Sequence, residues 1–178
     1  SIPASLSGTF YIFILTDITN QEYEHNFEFN NTCLSAALTS IPIPKPNFIA
    51  SITSAAPALV SNGELVTVNW QSSNQGAPFN GSLTDYVYLN TQPNLSSGSP
   101  QLIGSMSQSE SLQTGASITR QADVKIPASS VNGVRYVIVK ADGSNAISEV
   151  DESDNAINAQ TITVQSPNLT VPANTIAF

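Results

Sequence analysis

Thiols, imidazole and positive charge are what these 178 residues have least of. Cys33 is the one cysteine and His25 the one histidine, so no disulfide can close within the chain and the Cys/His inventory is too small for a zinc site. The redox compartment stays open on that evidence. Five Lys+Arg stand against thirteen Asp+Glu, a net charge of -8, which removes the basic surface that nucleic acid or an anionic membrane needs. Neither partner is expected. Only 10% of residues are charged, against roughly 25% in a typical domain. Long apolar runs are missing too: the longest, Phe10 to Leu15, falls far short of the ~20 residues that span a bilayer, and no membrane insertion is expected. The chain opens on Ser1 without a charged and apolar leader, as expected of a chain that lacks its native start.

What is present is alternation. Apolar residues recur with period two at Val66, Val68 and Trp70, at Val87 and Leu89, at Val124 and Ile126, and at Ile162 and Val164. Each run is bounded by Gly, Pro, Asn or Ser. No stretch of helical length places apolar residues three and four apart, and β-branched residues stand where helix formers would be needed. The chain reads as all-β.

An internal repeat organises it. Gly8, Tyr11, Asp17, Asn20 and Glu24 recur at one constant offset as Gly133, Tyr136, Asp142, Asn145 and Glu149. After a slip of one residue, Glu28 and Asn31 match Glu152 and Asn155, and Pro46-Asn47-Phe48 matches Pro167-Asn168-Leu169. The unit is about 120 residues long. Residues 1–43 are then the C-terminal part of one unit, 46–165 a complete unit, and 166–178 the first strand of the next. The linkers, Ile41-Pro-Ile-Pro-Lys-Pro46 and Val164-Gln-Ser-Pro167, are short and stiffened by proline.

Within the complete unit, strands are predicted near 47–55, 65–72, 84–90, 100–106, 117–127, 134–141 and 156–165. Seven short strands with turns between them suggest an Ig-like antiparallel β-sandwich in a tandem-repeat array, without the antibody Cys-Trp-Cys framework. Trp70 is the expected centre of the core, surrounded by Val66, Val68, Val87, Leu89, Val124, Ile126, Val137, Val139, Ile162 and Val164.

These residues resemble the CARDB domains, the cell-adhesion-related domain of bacteria that is also seen in archaea. The resemblance runs from Pro46-Asn-Phe-Ile through Val66-Thr-Val-Asn-Trp70, Asn74-Gln-Gly76 and Asp85-Tyr-Val-Tyr-Leu89 to Gly133-Val-Arg-Tyr-Val-Ile-Val-Lys-Ala-Asp142. Its most specific stretch is Asn145-Ala-Ile-Ser-Glu149-Val-Asp-Glu152-Ser-Asp-Asn155, where Asp154-Asn155 replaces the paired Asn that the first unit keeps as Asn30-Asn31. The resemblance implies an Ig-like module of secreted or surface proteins, usually repeated, with no catalytic role and no fixed ligand.

Nine of the thirteen acids fall in two windows, Asp17, Glu22, Glu24 and Glu28, then Asp142, Glu149, Asp151, Glu152 and Asp154. One reading is calcium, because a hard cation takes six to eight oxygens and a loop dense in carboxylates can supply them. The spacing is not that of an EF-hand. The other reading is a solvated hairpin loop whose Asp and Asn side chains satisfy local backbone donors. A glycosidase needs two carboxylates flanking a cleft, and here the acids crowd one loop. Cys33 aligns with Ile157 of the repeat, a strand position that predicts a buried, inert thiol rather than a nucleophile paired with His25. His25 is expected on the surface and Trp70 in the core rather than against a sugar. Asn-x-Ser/Thr triplets at Asn30, Asn80, Asn94 and Asn168 permit glycosylation but arise easily in so polar a chain.

The expected function is a non-catalytic structural or adhesive module, one segment of an extracellular or cell-surface stalk or fibre. Its expected partners are neighbouring repeats, copies of the same chain, or a cell-surface glycan or protein. The alternatives are an accessory binding domain of a secreted enzyme, or a filament subunit assembled head to tail by strand complementation. The Phe10–Leu15 hairpin, which would expose apolar side chains on both faces, motivates the last of these.

Overall fold

A computed structural model of the chain describes residues 8–19, 21–26, 29–130 and 132–166. Asn20, Glu28 and the expected first strand at Asn168–Val171 lie outside the described residues. The chain divides into two compact units at the Pro44–Lys45 junction.

The first unit holds four short strands, β1 (Gly8–Phe10), β2 (Phe13–Leu15), β3 (Thr32–Leu34) and β4 (Leu38–Ser40). They pair as two antiparallel ladders, β1 with β4 and β2 with β3. The apolar run at its start finds no core: Tyr11, Ile12, Phe13, Ile14 and Leu15 are each more than half exposed. Cys33 is exposed as well, contrary to the buried position expected from its alignment with Ile157. Ile157 itself is exposed, so period-two alternation misled at both positions.

The second unit contains β5 (Phe48–Ala56), β6 (Leu59–Ser61), β7 (Leu65–Asn74), β8 (Phe79–Asn90), β9 (Gln101–Leu112), β10 (Ser117–Lys125), β11 (Gly133–Lys140) and β12 (Ala159–Gln165). They form a three-stranded sheet, β10-β7-β5, and a five-stranded sheet, β6-β12-β11-β8-β9. This is an all-β fold of the Ig-like sandwich type, and none of its described residues is helical. The seven expected strands are present, with β8 and β9 longer than predicted. The addition is β6, which runs parallel to β12 and escaped notice because three residues show no periodicity. The sheets are otherwise antiparallel.

The core forms where the alternation placed it. Trp70 is fully buried, with Val66, Val68, Val87, Leu89, Val124, Ile126, Val137, Val139, Ile162 and Val164 around it. Phe48, Leu83 and Leu112 complete the layer, Phe48 lying edge-on to Phe79 at 5.0 Å. Two inward positions carry charges, Asp85 and Arg120. Asp85 follows Leu83 and precedes Val87 on the buried face of β8, where its Oδ2 accepts from Trp70 Nε1 (2.8 Å), Ser72 Oγ (2.6 Å) and Arg120 Nη1 (3.0 Å). Arg120 bonds Glu110 at its other terminal nitrogen, 3.0 Å away. A buried carboxylate persists only when paired and hydrogen-bonded, and here β7, β8 and β10 are tied together across the core to meet that need.

The two units share one local design. Gly8 pairs with Ser40 and Phe10 with Leu38; Gly133 pairs with Val164 and Arg135 with Ile162, which is the same register once the one-residue slip is counted. Thr16 N–H donates to Asn31 O at 2.9 Å, and its counterpart Ala141 N–H to Asn155 O at 3.0 Å. Both strands start on a glycine in the region that side chains avoid, with φ of 124° at Gly8 and 117° at Gly133.

Candidate functional site

The loop from Asp142 to Asn155 leaves β11 and returns to β12, and its acids divide into two sets. Asp142 has a φ of 38°, which Asp tolerates, and its carboxylate accepts from Ala146 N (3.1 Å) and Ile147 N (2.7 Å). Asp17 does the same in the first unit, with a φ of 39° and bonds from Gln21 N (2.9 Å) and Glu22 N (3.1 Å). The side chain thus fixes the turn locally, as the hairpin-loop reading expected.

Most of the loop is exposed, as that reading expected, but three of its polar side chains are not. Asp142, Glu149 and Asn155 are each at least 97% buried. They are packed there because the loop grips the first strand of its unit. Glu149 Oε2 accepts from Phe48 N, and Glu149 Oε1 from Asn155 Nδ2 at 2.8 Å. Asn155 O accepts from Ala50 N at 3.1 Å, and Val150 N–H donates to Pro46 O at 3.0 Å. Asn47 closes the clamp: its Oδ1 accepts from Asp151 N (2.8 Å) and its Nδ2 donates to Asp154 Oδ2 (2.9 Å). On the other side, Asn74 Oδ1 accepts from Asn47 N at 3.0 Å, so the Asn74-Gln-Gly76 motif seats the same strand.

Of the five acids singled out as calcium ligands, three come together. Asp142, Glu149 and Glu152 place one carboxylate oxygen each within 4.8 Å of the others, a donor set suited to a hard divalent cation. Asp151 and Asp154 turn elsewhere, Asp151 accepting from Ser153 N (2.8 Å) and Oγ (2.6 Å), Asp154 from Asn47. Crowding and burial leave their mark on Glu149. Desolvation, with repulsion from Glu152 and Asp142 added, pushes its carboxyl from the ordinary 4.5 up to about 7, although the bonds from Phe48 and Asn155 pull it down.

The CARDB family model matches residues 45–159, from before β5 through the acidic loop to the first residue of β12. The chain belongs to the CARDB family. Among solved structures, a CARDB domain from Pyrococcus furiosus in complex with di-metal ions is 17% identical, with a TM-score of 0.45 over 68% of this chain and 90% of that one. A β-glucosidase from Listeria innocua in complex with glucose is 18% identical, with a TM-score of 0.44 over 70% of this chain but only 17% of that one. A β-glucosidase from Kluyveromyces marxianus in complex with glucose is 16% identical, with a TM-score of 0.46 over 72% of this chain and 15% of that one. No curated protein matches the chain.

The acids of the loop accept from backbone amides and from the side chains of Asn155, Ser153 and Asn47, and Asp142, Glu149 and Glu152 are the one cluster of three such side chains among the described residues. In the first unit His25 is exposed, beside Tyr23 with ring centroids 5.9 Å apart. Among the described residues no helix is long and apolar enough to cross a membrane. Sequence reasoning missed Asn47, whose clamp binds the two ends of the unit. The recurrence of Pro-Asn before an apolar residue carried that signal, because an amide retained at a strand start has a specific bond to make.

Proposed function

We propose that this chain is a stretch of an extracellular or cell-surface protein in which CARDB units follow one another as a spacer with an adhesive role. The shared register of Gly8–Ser40 and Gly133–Val164, with an Asp-anchored turn after each, supports this reading, because such features recurring together are what serial units of one kind produce. Neighbouring units are the primary partners, and proline in the linker at Ile41–Pro46 limits bending between them. Electron microscopy of the full-length gene product tests it: rods with a periodicity of one unit are expected, and a single unit beside a large globular enzyme would overturn it.

A second reading, an accessory binding domain of a secreted enzyme, draws on a groove of about 590 Å³ beside the acidic loop. Tyr88, Pro93, Leu95 and Ile157 line it together with Lys140 and Glu152, the mixture of ring faces and hydrogen-bonding groups that suits a cell-surface glycan. A glycan array on the 178-residue chain, with no ligand retained, would remove this reading.

The carboxylates of Asp142, Glu149 and Glu152 are proposed to hold calcium, with water completing the shell and Asp151 and Asp154 left out of it. Isothermal titration is expected to show binding that weakens at acid pH. Absence of heat, together with an unchanged melting temperature in excess calcium, would overturn the assignment.

A further inference from the structure

The loop between β8 and β9, residues 91–100, forms neither strand nor helix but is firmly built. Its anchor is Asn90, the last residue of β8 and 1% exposed. Asn90 Oδ1 accepts from Thr91 N and Ser99 N, both at 2.8 Å, while its Nδ2 donates to Ser97 O at 2.9 Å and to Asn94 O. One buried amide thus ties the two ends of the loop to its middle. Gly98 completes the closure: its φ of 81° suits glycine, and a Cβ there would strike Asn90 Oδ1 and Thr91 Oγ1.

Asn94 is what this loop displays. It is exposed, its Oδ1 accepts from Ser96 N (3.1 Å), Ser96 Oγ (3.0 Å), Ser97 N (2.9 Å) and Ser97 Oγ (2.8 Å), and its Nδ2 has no partner among the described residues. Asn94-Leu95-Ser96 is one of the four Asn-x-Ser/Thr triplets, and the fold sets it apart. Asn80 stands in β8 opposite Ser111, and Ser82 Oγ lies 3.0 Å from Ser107 Oγ, so an enzyme reaching that triplet must unpair two strands. Asn30 leads into β3 through Asn31, whose carbonyl accepts from Thr16, and Thr32 pairs with Leu15. Asn168 lies outside the described residues. Of the other three triplets, only Asn94-Leu95-Ser96 has its whole backbone outside the sheets.

We propose that Asn94 carries an N-linked glycan, a proposal that rests on the extracellular placement of the chain. Asn94 Nδ2 attacks C1 of an oligosaccharide held on a lipid pyrophosphate. The C1–N bond forms, the C1–O bond to the pyrophosphate breaks, one amide proton passes to a base of the transferase, and the lipid pyrophosphate leaves. The donors around Asn94 Oδ1 favour this step, because they stabilise the negative charge that gathers on the amide oxygen as the proton departs. Asn94 and Leu95 line the groove beside the acidic loop together with Tyr88 and Ile157. The first sugar therefore lies at that groove, where the Tyr88 ring and the exposed Ile157 offer it an apolar face. The carbohydrate received there is the chain's own.

Glycopeptide mass spectrometry of the full-length gene product, recovered from the surface fraction of its own cells, tests the site. The peptide containing Asn94 is expected to carry an oligosaccharide mass, lost in Asn94→Gln and in Ser96→Ala. The mass is expected to persist in Ser97→Ala and in Asn80→Gln. Ser96 and Ser97 donate alike to Asn94 Oδ1, so a merely structural role treats the two serine substitutions alike, whereas the triplet requires Ser96 only. A bare Asn94 overturns the proposal, and so does a mass that survives Asn94→Gln and therefore sits on a loop serine. Either result on protein recovered from the surface leaves the spacer reading standing. Protein confined to the cytosol with Asn94 bare overturns both.

Discussion

Gly8–Ser40 and Gly133–Gln165 are two versions of one hairpin with opposite fates. Both open on a glycine of positive φ, both turn on an Asp with φ near 38°, and both begin their pairing in the same register, which in the first unit shifts by one residue between β1 and β2. Yet Val139 is 1% exposed whereas its counterpart Ile14 is 59% exposed. The difference is not in the hairpin. A hairpin buries only one edge and part of one face by itself, and the rest of its burial comes from the opposing sheet and from β5. Turn and register are therefore local properties, and the core is a property of the closed unit.

The sharpest way to break the closed version is to strip the charge network that holds its sheets together. Asp85→Ala leaves Arg120, Trp70 and Ser72 without their shared acceptor, and loss of one partner of a buried pair costs about 3–5 kcal/mol. Urea unfolding of the second unit is expected to show that loss as a lower midpoint, while amide exchange in Gly8–Ser40 stays unchanged. Next in size is the matched pair Val139→Ala and Ile14→Ala. The first removes two buried carbons and is expected to cost about 2 kcal/mol, and the second to stay within about 0.5 kcal/mol. Equal costs would mean that the first hairpin is covered.

A smaller contrast tests the shared turn. Asp142→Ala frees the part-buried amides of Ala146 and Ile147 and is expected to cost about 1 kcal/mol. Asp17→Ala exposes the amides of Gln21 and Glu22 to water, and faster hydrogen exchange at those two positions is the expected readout. A different kind of effect is on pH dependence. Glu149 holds its proton up to about pH 7 in the fold but only to about 4.5 in the unfolded chain, so the unfolded state loses its proton first. Stability from this group is thus full below about pH 4.5 and declines as pH rises towards 7, levelling above it. In the presence of a chelator, Glu149→Gln is expected to flatten the melting-temperature profile across that window. A profile unchanged by the substitution would place the ionisation elsewhere.

Different parts of the second unit were readable from the sequence to different degrees. Val66, Val68 and Trp70 alternate on β7, so their burial follows from a period of two and needs no knowledge of the partner sheet. Asp85 alternates with Leu83 and Val87 in the same way, yet a charge at an inward position can be understood only once Arg120 is placed beside it from another strand. The acidic window was visible as composition, and five acids looked equivalent. The fold separated them, because Asn47 arrives from the far end of the unit and draws Asp154 and the Asp151 backbone to itself. Cys33 shows the converse error, an alternating position that faces no second layer.

By itself the sequence determined the strand class, the repeat and its slip, the inward faces of the main strands and the Asp-anchored turns. These depend on residues near one another in the chain, through side-chain alternation and local hydrogen bonds. Only the tertiary structure decided that β6 joins β12 in parallel, that Asp142, Glu149 and Glu152 come together, and that the loop bonds the first strand of its unit. The first and the last of those outcomes join residues 101 to 104 positions apart, and long-range pairing is selected by the total burial of the closed sandwich, a quantity that no local pattern contains.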